Sequence, residues 1–122
     1  MAKILVVDDR AEIRSVLRRI LERHGHVVTL AKNGQEAIDR FQAEQPDITI
    51  LDLFMPIMNG FDALFILRQE CPDAKVIAVS GGGSNMGMDA LREAAALGAQ
   101  VTLQKPIPPK ALIDAVSSLL AH

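Results

Sequence analysis

Apolar residues in this chain switch repeatedly between two spacings, and that switching limits the available folds more than any other feature. Ile4-Leu5-Val6-Val7 is an unbroken aliphatic run, the pattern of a strand covered on both faces. Ile13, Val16, Leu17, Ile20 and Leu21 then recur at helical spacing. The same change of period follows four more times. Val27–Leu30, Ile48–Leu51, Lys75–Val79 and Val101–Leu103 read as strands. Ala37, Ile38 and Phe41 mark the second helix, and Phe61, Leu64 and Phe65 the third. Leu91, Ala94 and Ala95 mark the fourth, and Leu112, Val116, Leu119 and Leu120 the fifth. Gly25, Asn33-Gly34, Pro46, Pro72, Gly81-Gly82-Gly83, Gly98 and Pro108-Pro109 punctuate these segments. Asp9 and Glu12 have the spacing of a capping box ahead of the first helix. Five β-α units in succession predict one α/β domain over residues 1–122, a parallel sheet with helices on both faces.

Composition narrows the function classes. With 49% hydrophobic residues the chain has material for a core without staples. A formal net charge of −2 gives no basis for direct nucleic-acid or membrane-surface binding. No apolar run approaches the roughly 20 residues needed to span a bilayer. Cys71 is the only cysteine, so no internal disulfide forms, and a cytoplasmic location is expected. His24 and His26 flank a turn glycine and His122 is terminal, positions that suit solvated turns better than phosphohistidine chemistry. Arg14, Arg18 and Arg19 form a basic group on the first helix, either a solvated face or a docking contact.

Because the strands are apolar, the polar residues at their ends are informative. Asp8 and Asp9 close the first strand, Asp52 the third and Ser80 the fourth, while Lys105 lies just beyond the fifth. In a doubly wound sheet of flavodoxin-like order 2-1-3-4-5, all of these occupy one edge, and strands 1 and 3 are neighbours at the switch point where ligands bind. Singly, each has a plainer reading: Asp9 as a helix cap, Ser80 as a turn residue, Lys105 as a surface charge. Together they describe a site. Converging carboxylates repel one another unless a cation intervenes. Lys105 supplies one charge, and a hard divalent ion such as Mg²⁺ supplies more. A carboxylate beside a metal, a lysine and a hydroxyl is equipped to attack phosphorus.

These residues sit in a pattern that resembles the receiver domains of bacterial two-component response regulators. The likeness is carried by ILVVDD (residues 4–9), DLFMPIMNG (52–60), Ser80, LGA (97–99) and Lys105-Pro106, and it covers essentially the whole chain as a stand-alone receiver. The resemblance implies that Asp52 is the phosphoacceptor. It implies Mg²⁺ on Asp8, Asp9, Asp52 and the backbone carbonyl of Phe54. Ser80, the backbone of Gly81 and Lys105 would contact the phosphoryl group, and the Lys105–Pro106 bond would be cis. Ser80, Thr102 and Pro106 occupy the positions of the conformational switch. The implied donor is a sensor histidine kinase or a histidine phosphotransfer protein. The implied output is binding of a downstream protein target through the loop after the fourth strand and the face of the fourth helix, fifth strand and fifth helix. The only chemistry would be self-phosphoryl transfer and autodephosphorylation.

The sequence departs from that family pattern in places. Thr102 stands where an aromatic switch residue is common, and the chain has neither Tyr nor Trp. Gly81–Gly87 reads as a long glycine-rich loop whose freedom suggests order–disorder switching. Ile107 replaces a common Phe. Phe54, two residues after Asp52, places an apolar ring where it would shield the acyl phosphate from water. Two other classes share part of the pattern. A phosphatase of the haloacid-dehalogenase type usually needs a second acid at the position Phe54 fills, and a flavin binder is disfavoured by the absence of Tyr and Trp to stack the ring.

Overall fold

Aliphatic runs become strands, and the helical repeats between them become crossovers. The computed structural model describes residues 2–81 and 85–121. Its elements run β1 (Lys3–Val7), α1 (Ala11–Arg23), β2 (Val27–Ala31), α2 (Gly34–Glu44), β3 (Ile48–Asp52), α3 (Gly60–Glu70), β4 (Lys75–Ser80), α4 (Asn85–Ala96), β5 (Val101–Gln104) and α5 (Pro109–Leu120). Every strand pairing is parallel, as the alternation predicts, and the order is β2-β1-β3-β4-β5, the flavodoxin-like order expected.

Successive strand residues point to opposite faces, so each buried strand feeds two cores. Leu5, Val7, Leu51, Val76 and Ala78 pack with Ala37, Ala63, Leu64, Ala90 and Ala94 from α2, α3 and α4. Ile4, Val6, Ile48, Ile50, Ile77 and Val79 pack with Leu17, Leu21, Leu112, Val116 and Leu119 from α1 and α5. This double covering explains why β1, β3 and β4 read as continuous apolar runs.

Two helices start on the same device. Asn33 and Asn59 each precede a glycine, and each side chain accepts from the backbone N–H three residues on, Glu36 and Asp62. Asn33-Gly34 is therefore a helix start where the sequence suggested a turn. Glu36 Oε1 reaches back to accept from the Lys32 N–H at 3.0 Å. The box expected at Asp9 and Glu12 does not form. The N-cap of α1 is Arg10, one residue later than expected, with no side-chain cap; Glu12 pairs with Arg10, and Asp9 lies with Asp8 and Asp52 at the sheet edge. His26, read as a solvated turn residue, accepts the Ala2 N–H at Nδ1 and so serves the fold.

The expected loop over 81–87 is shorter than the sequence suggested. α4 begins at Asn85, so residues 85–87 are helical and Gly87 is tolerated there at a cost of about 1 kcal/mol. Residues 82–84, and with them the core of the expected order–disorder segment, lie outside the described residues. The loop from β3 to α3 contains a strained residue. Ile57 has φ 72° with its side chain 86% exposed, a left-handed conformation that disfavours β-branched residues.

One buried polar atom stands out in the sheet centre. Thr49, between Leu5 and Val76 in the ladder, is fully buried and its hydroxyl has no hydrogen-bond partner. An unsatisfied buried hydroxyl costs more than it returns. Thr49→Val, nearly equal in shape, is expected to raise unfolding free energy by about 1 kcal/mol and the melting temperature by a few degrees. Equilibrium urea unfolding of both proteins checks this.

Candidate functional site at the carboxyl edge of the sheet

The strand order brings the carboxyl ends of β1, β3, β4 and β5 along one edge. Asp52 ends β3, Ser80 ends β4, Asp8 and Asp9 follow β1, and Lys105 follows β5. Carboxylate oxygens of Asp8, Asp9 and Asp52 lie within 4.8 Å of one another. Asp8 is 2% exposed and Asp52 4%, whereas Asp9 faces solvent.

Asp8 is firmly held. Its Oδ1 accepts the Arg10 N–H at 2.9 Å and its Oδ2 accepts from Lys105 Nζ at 2.7 Å. Its backbone carbonyl accepts from Arg14 at 2.7 Å. Asp52 is less well served, with Lys105 Nζ at 3.5 Å from Oδ2 and the Phe54 N–H at 3.3 Å from Oδ1. Burial pushes the Asp52 carboxyl up from 3.8 to about 6; Lys105 opposes this, Asp8 adds to it, the Phe54 N–H opposes it and Asp9 adds to it. One lysine thus answers three carboxylates. Clustered hard oxygen donors with excess negative charge fit a divalent cation of the Mg²⁺ kind, which accepts a few carboxylates and keeps waters.

The structure gathers Asp8, Asp9, Asp52 and Lys105 into one constellation. Ser80 reaches the same edge fully buried, with its hydroxyl donating to the Gly81 carbonyl at 3.3 Å and its own carbonyl accepting the Lys105 N–H. Gly81 is exposed beside it. Thr102 is set back from the edge, opposite Ala78 in the ladder. The Lys105–Pro106 bond is cis. The basic group expected on α1 is divided: Arg14 turns inward to Asp8, and Arg18 pairs with Glu22 at 3.2 Å.

Sequence reasoning missed the backbone contacts that position Asp52. A Cβ on Gly60 would overlap the Asp52 carbonyl oxygen, and the Gly60 N–H donates to the Leu53 carbonyl at 3.0 Å. A Cβ on Gly34 would lie 2.6 Å from the Met58 carbonyl oxygen, which accepts the Gly34 N–H at 3.1 Å. The repeated Asn-Gly pair was the available signal. Beside the site, an open groove of about 860 Å³ runs between α1 and the segment after β5, with Ile13, Val16, Leu17, Pro106 and Ile107 in its apolar wall.

A family model described as the response regulator receiver domain matches residues 4–117. The chain is 35% identical over 119 residues to the chemotaxis protein CheY of Thermotoga maritima, covering 96% of each. Its fold matches a response regulator receiver domain protein from Clostridium thermocellum with TM-score 0.92 and 30% identity, over 99% of this chain and 95% of that one. It also matches NtrX from Brucella abortus with TM-score 0.91 and 27% identity, covering 98% of this chain but 27% of that longer one.

The raised Asp52 pKa sets a pH dependence in metal-free protein. A carboxyl whose folded pKa is raised contributes stability fully present below about pH 4 and lost as pH rises through about 6. Asp52→Asn removes that charge. In chelator at pH 7.5 it is expected to be more stable than the parent by on the order of 1–2 kcal/mol, discounted for solvent on the open side. The difference should shrink as pH falls to 4.5. Thermal melts of both proteins test this, and a variant less stable at pH 7.5 refutes it.

Proposed function

The chain belongs to the response regulator receiver domain family of two-component signalling, and from that premise we propose that Asp52 accepts a phosphoryl group from a phosphohistidine on a sensor histidine kinase or histidine phosphotransfer protein. The observation that carries this reading is the convergence of Asp8, Asp9 and Asp52 within 4.8 Å, with Lys105 bridging two of them.

The transfer follows from the roles these groups are placed to take. An Asp52 carboxylate oxygen bonds to phosphorus as the phosphorus–nitrogen bond of the donor breaks, and the donor imidazole keeps the bonding electrons. Lys105, already within reach of Asp52, balances negative charge on the transferring group. Asp8, fixed by Arg10, Arg14 and Lys105, and the more exposed Asp9 would hold Mg²⁺ together with Asp52 and the Phe54 carbonyl. When bound, that ion supplies charge neutralisation at the phosphoryl oxygens. The Ser80 hydroxyl exchanges its bond to the Gly81 carbonyl for one to the phosphoryl group, and the Gly81 backbone moves with it. This shift passes to the β4–α4 loop and the α4–β5–α5 face, where a downstream protein binds. Thr102 and Pro106 lie along that route. Hydrolysis of the acyl phosphate returns the domain to its resting state, so the domain is a signalling element rather than a turnover enzyme.

The groove between α1 and the β5–α5 segment suits the donor. Its apolar wall includes Val16 at 52% exposure, and Lys105 of the acceptor edge lines the same groove. Among the described residues no helix is long and apolar enough to cross a membrane. A cytoplasmic donor and target are the partners this reading requires.

Incubation with acetyl phosphate and Mg²⁺ tests the acceptor. Intact mass is expected to rise by one phosphoryl group in the parent, and the gain should vanish in Asp52→Ala. Absence of any gain in the parent, or its survival in the variant, overturns the assignment.

A further inference from the structure

The four phenylalanines are the chain's entire aromatic content, and all belong to α2, α3 or the loop after β3. Two of them touch. The rings of Phe54 and Phe61 meet edge to face, with centroids 6.1 Å apart and planes at 81°. Each ring is rooted in backbone that contacts Asp52. The Phe54 N–H donates to the Asp52 carboxylate, and Phe61 follows Gly60, which is seated against the Asp52 carbonyl. Phe54 is 45% exposed. Phe61 is partly buried and packs against the core beneath α2, α3 and α4. One ring is therefore anchored in the fold, and the other is half in water and takes its support from the first.

We propose that the Phe54 ring, carried on backbone bonded to Asp52, stands at the rim of that site, and that Phe61, by holding it there, is a positioning residue that sets the lifetime of the phosphorylated form. This inference rests on the acceptor role proposed above for Asp52. In hydrolysis a water oxygen bonds to phosphorus while the bond from phosphorus to the Asp52 oxygen breaks. The carboxylate leaves with the electron pair, and the water proton passes to the released phosphate or to solvent. Attacking and leaving oxygens must lie roughly in line, so a group at the rim controls the approach of that water. An apolar ring offers the water no hydrogen bond. A half-exposed Phe exchanges among staggered rotamers unless something selects one, and an edge-to-face partner does so with a defined geometry.

The experiment measures decay of the acyl phosphate after loading with acetyl phosphate and Mg²⁺ and removal of the donor. Phe61→Ala should load as the parent does and decay roughly fivefold faster. Phe61→Tyr keeps the ring and should return the parental rate. Phe54→Ala should also decay faster, and adding Phe61→Ala to it should give no further acceleration. Circular dichroism at the assay temperature establishes that each variant is folded; if Phe61→Ala is not, Phe61→Leu takes its place. Unchanged decay in the Phe61 variant overturns the proposal. So does an acceleration of equal size in the Phe54→Ala background, the result expected if Phe61 serves only the core. A parent that never loads overturns the acceptor assignment and this inference with it, whereas normal loading with unaltered decay overturns this inference alone.

Discussion

Mutual repulsion of three carboxylates at one sheet edge is the constraint to which the site's other features respond. Asp8 and Asp52 are nearly inaccessible to water, and like charges in such surroundings are costly. Lys105 relieves that cost from the far side of β3 and β4, yet it sits closer to Asp8 than to Asp52. Asp52 is left the less satisfied member, and burial, only partly offset by Lys105, pushes its carboxyl up to about 6. A site in this condition gains from any ligand that adds positive charge beside Asp52. Strand order decides whether the arrangement exists at all, since only the placement of β1 beside β3 brings the two acidic ends together.

Asp52 itself is held by main-chain contacts more than by side chains. Gly60 closes over its carbonyl and Gly34 over the Met58 carbonyl, so the loop after β3 is fastened to the first residues of two helices. Between those fastenings Ile57 adopts a left-handed conformation, the conformational cost of keeping so short a path. Neither glycine is there for flexibility. Both are places where another backbone comes too near for a side chain.

Much of this was legible in the residues. The two apolar periods gave element number, order and sheet type, because a buried parallel strand and an amphipathic helix write different patterns. The polar strand ends then pointed to Asp8, Asp9, Asp52 and Lys105. The helix starts were harder to read. Asp9 and Glu12 have capping spacing, but the N-cap falls on Arg10 and leaves Asp9 at the sheet edge, whereas Asn33-Gly34 reads as a turn and is a cap. Gly87 hid the start of α4, since a glycine there is unfavourable locally and the rest of the helix outweighs it. The Phe54–Phe61 contact and the close approaches of Gly34 and Gly60 join residues through space and leave no periodic trace.

Lys105 stands 97 residues from Asp8 and 53 from Asp52. That separation makes the site a product of the completed chain. During synthesis both acids emerge long before the lysine that compensates them, and β1 and β3 can pair while their ends still repel. Only when β5 adds to the sheet does the cation arrive. The charge balance around Asp8 and Asp52 thereby becomes a late event in the protein's own assembly, and a chain that stops short of Lys105 has the acids without the lysine that answers them.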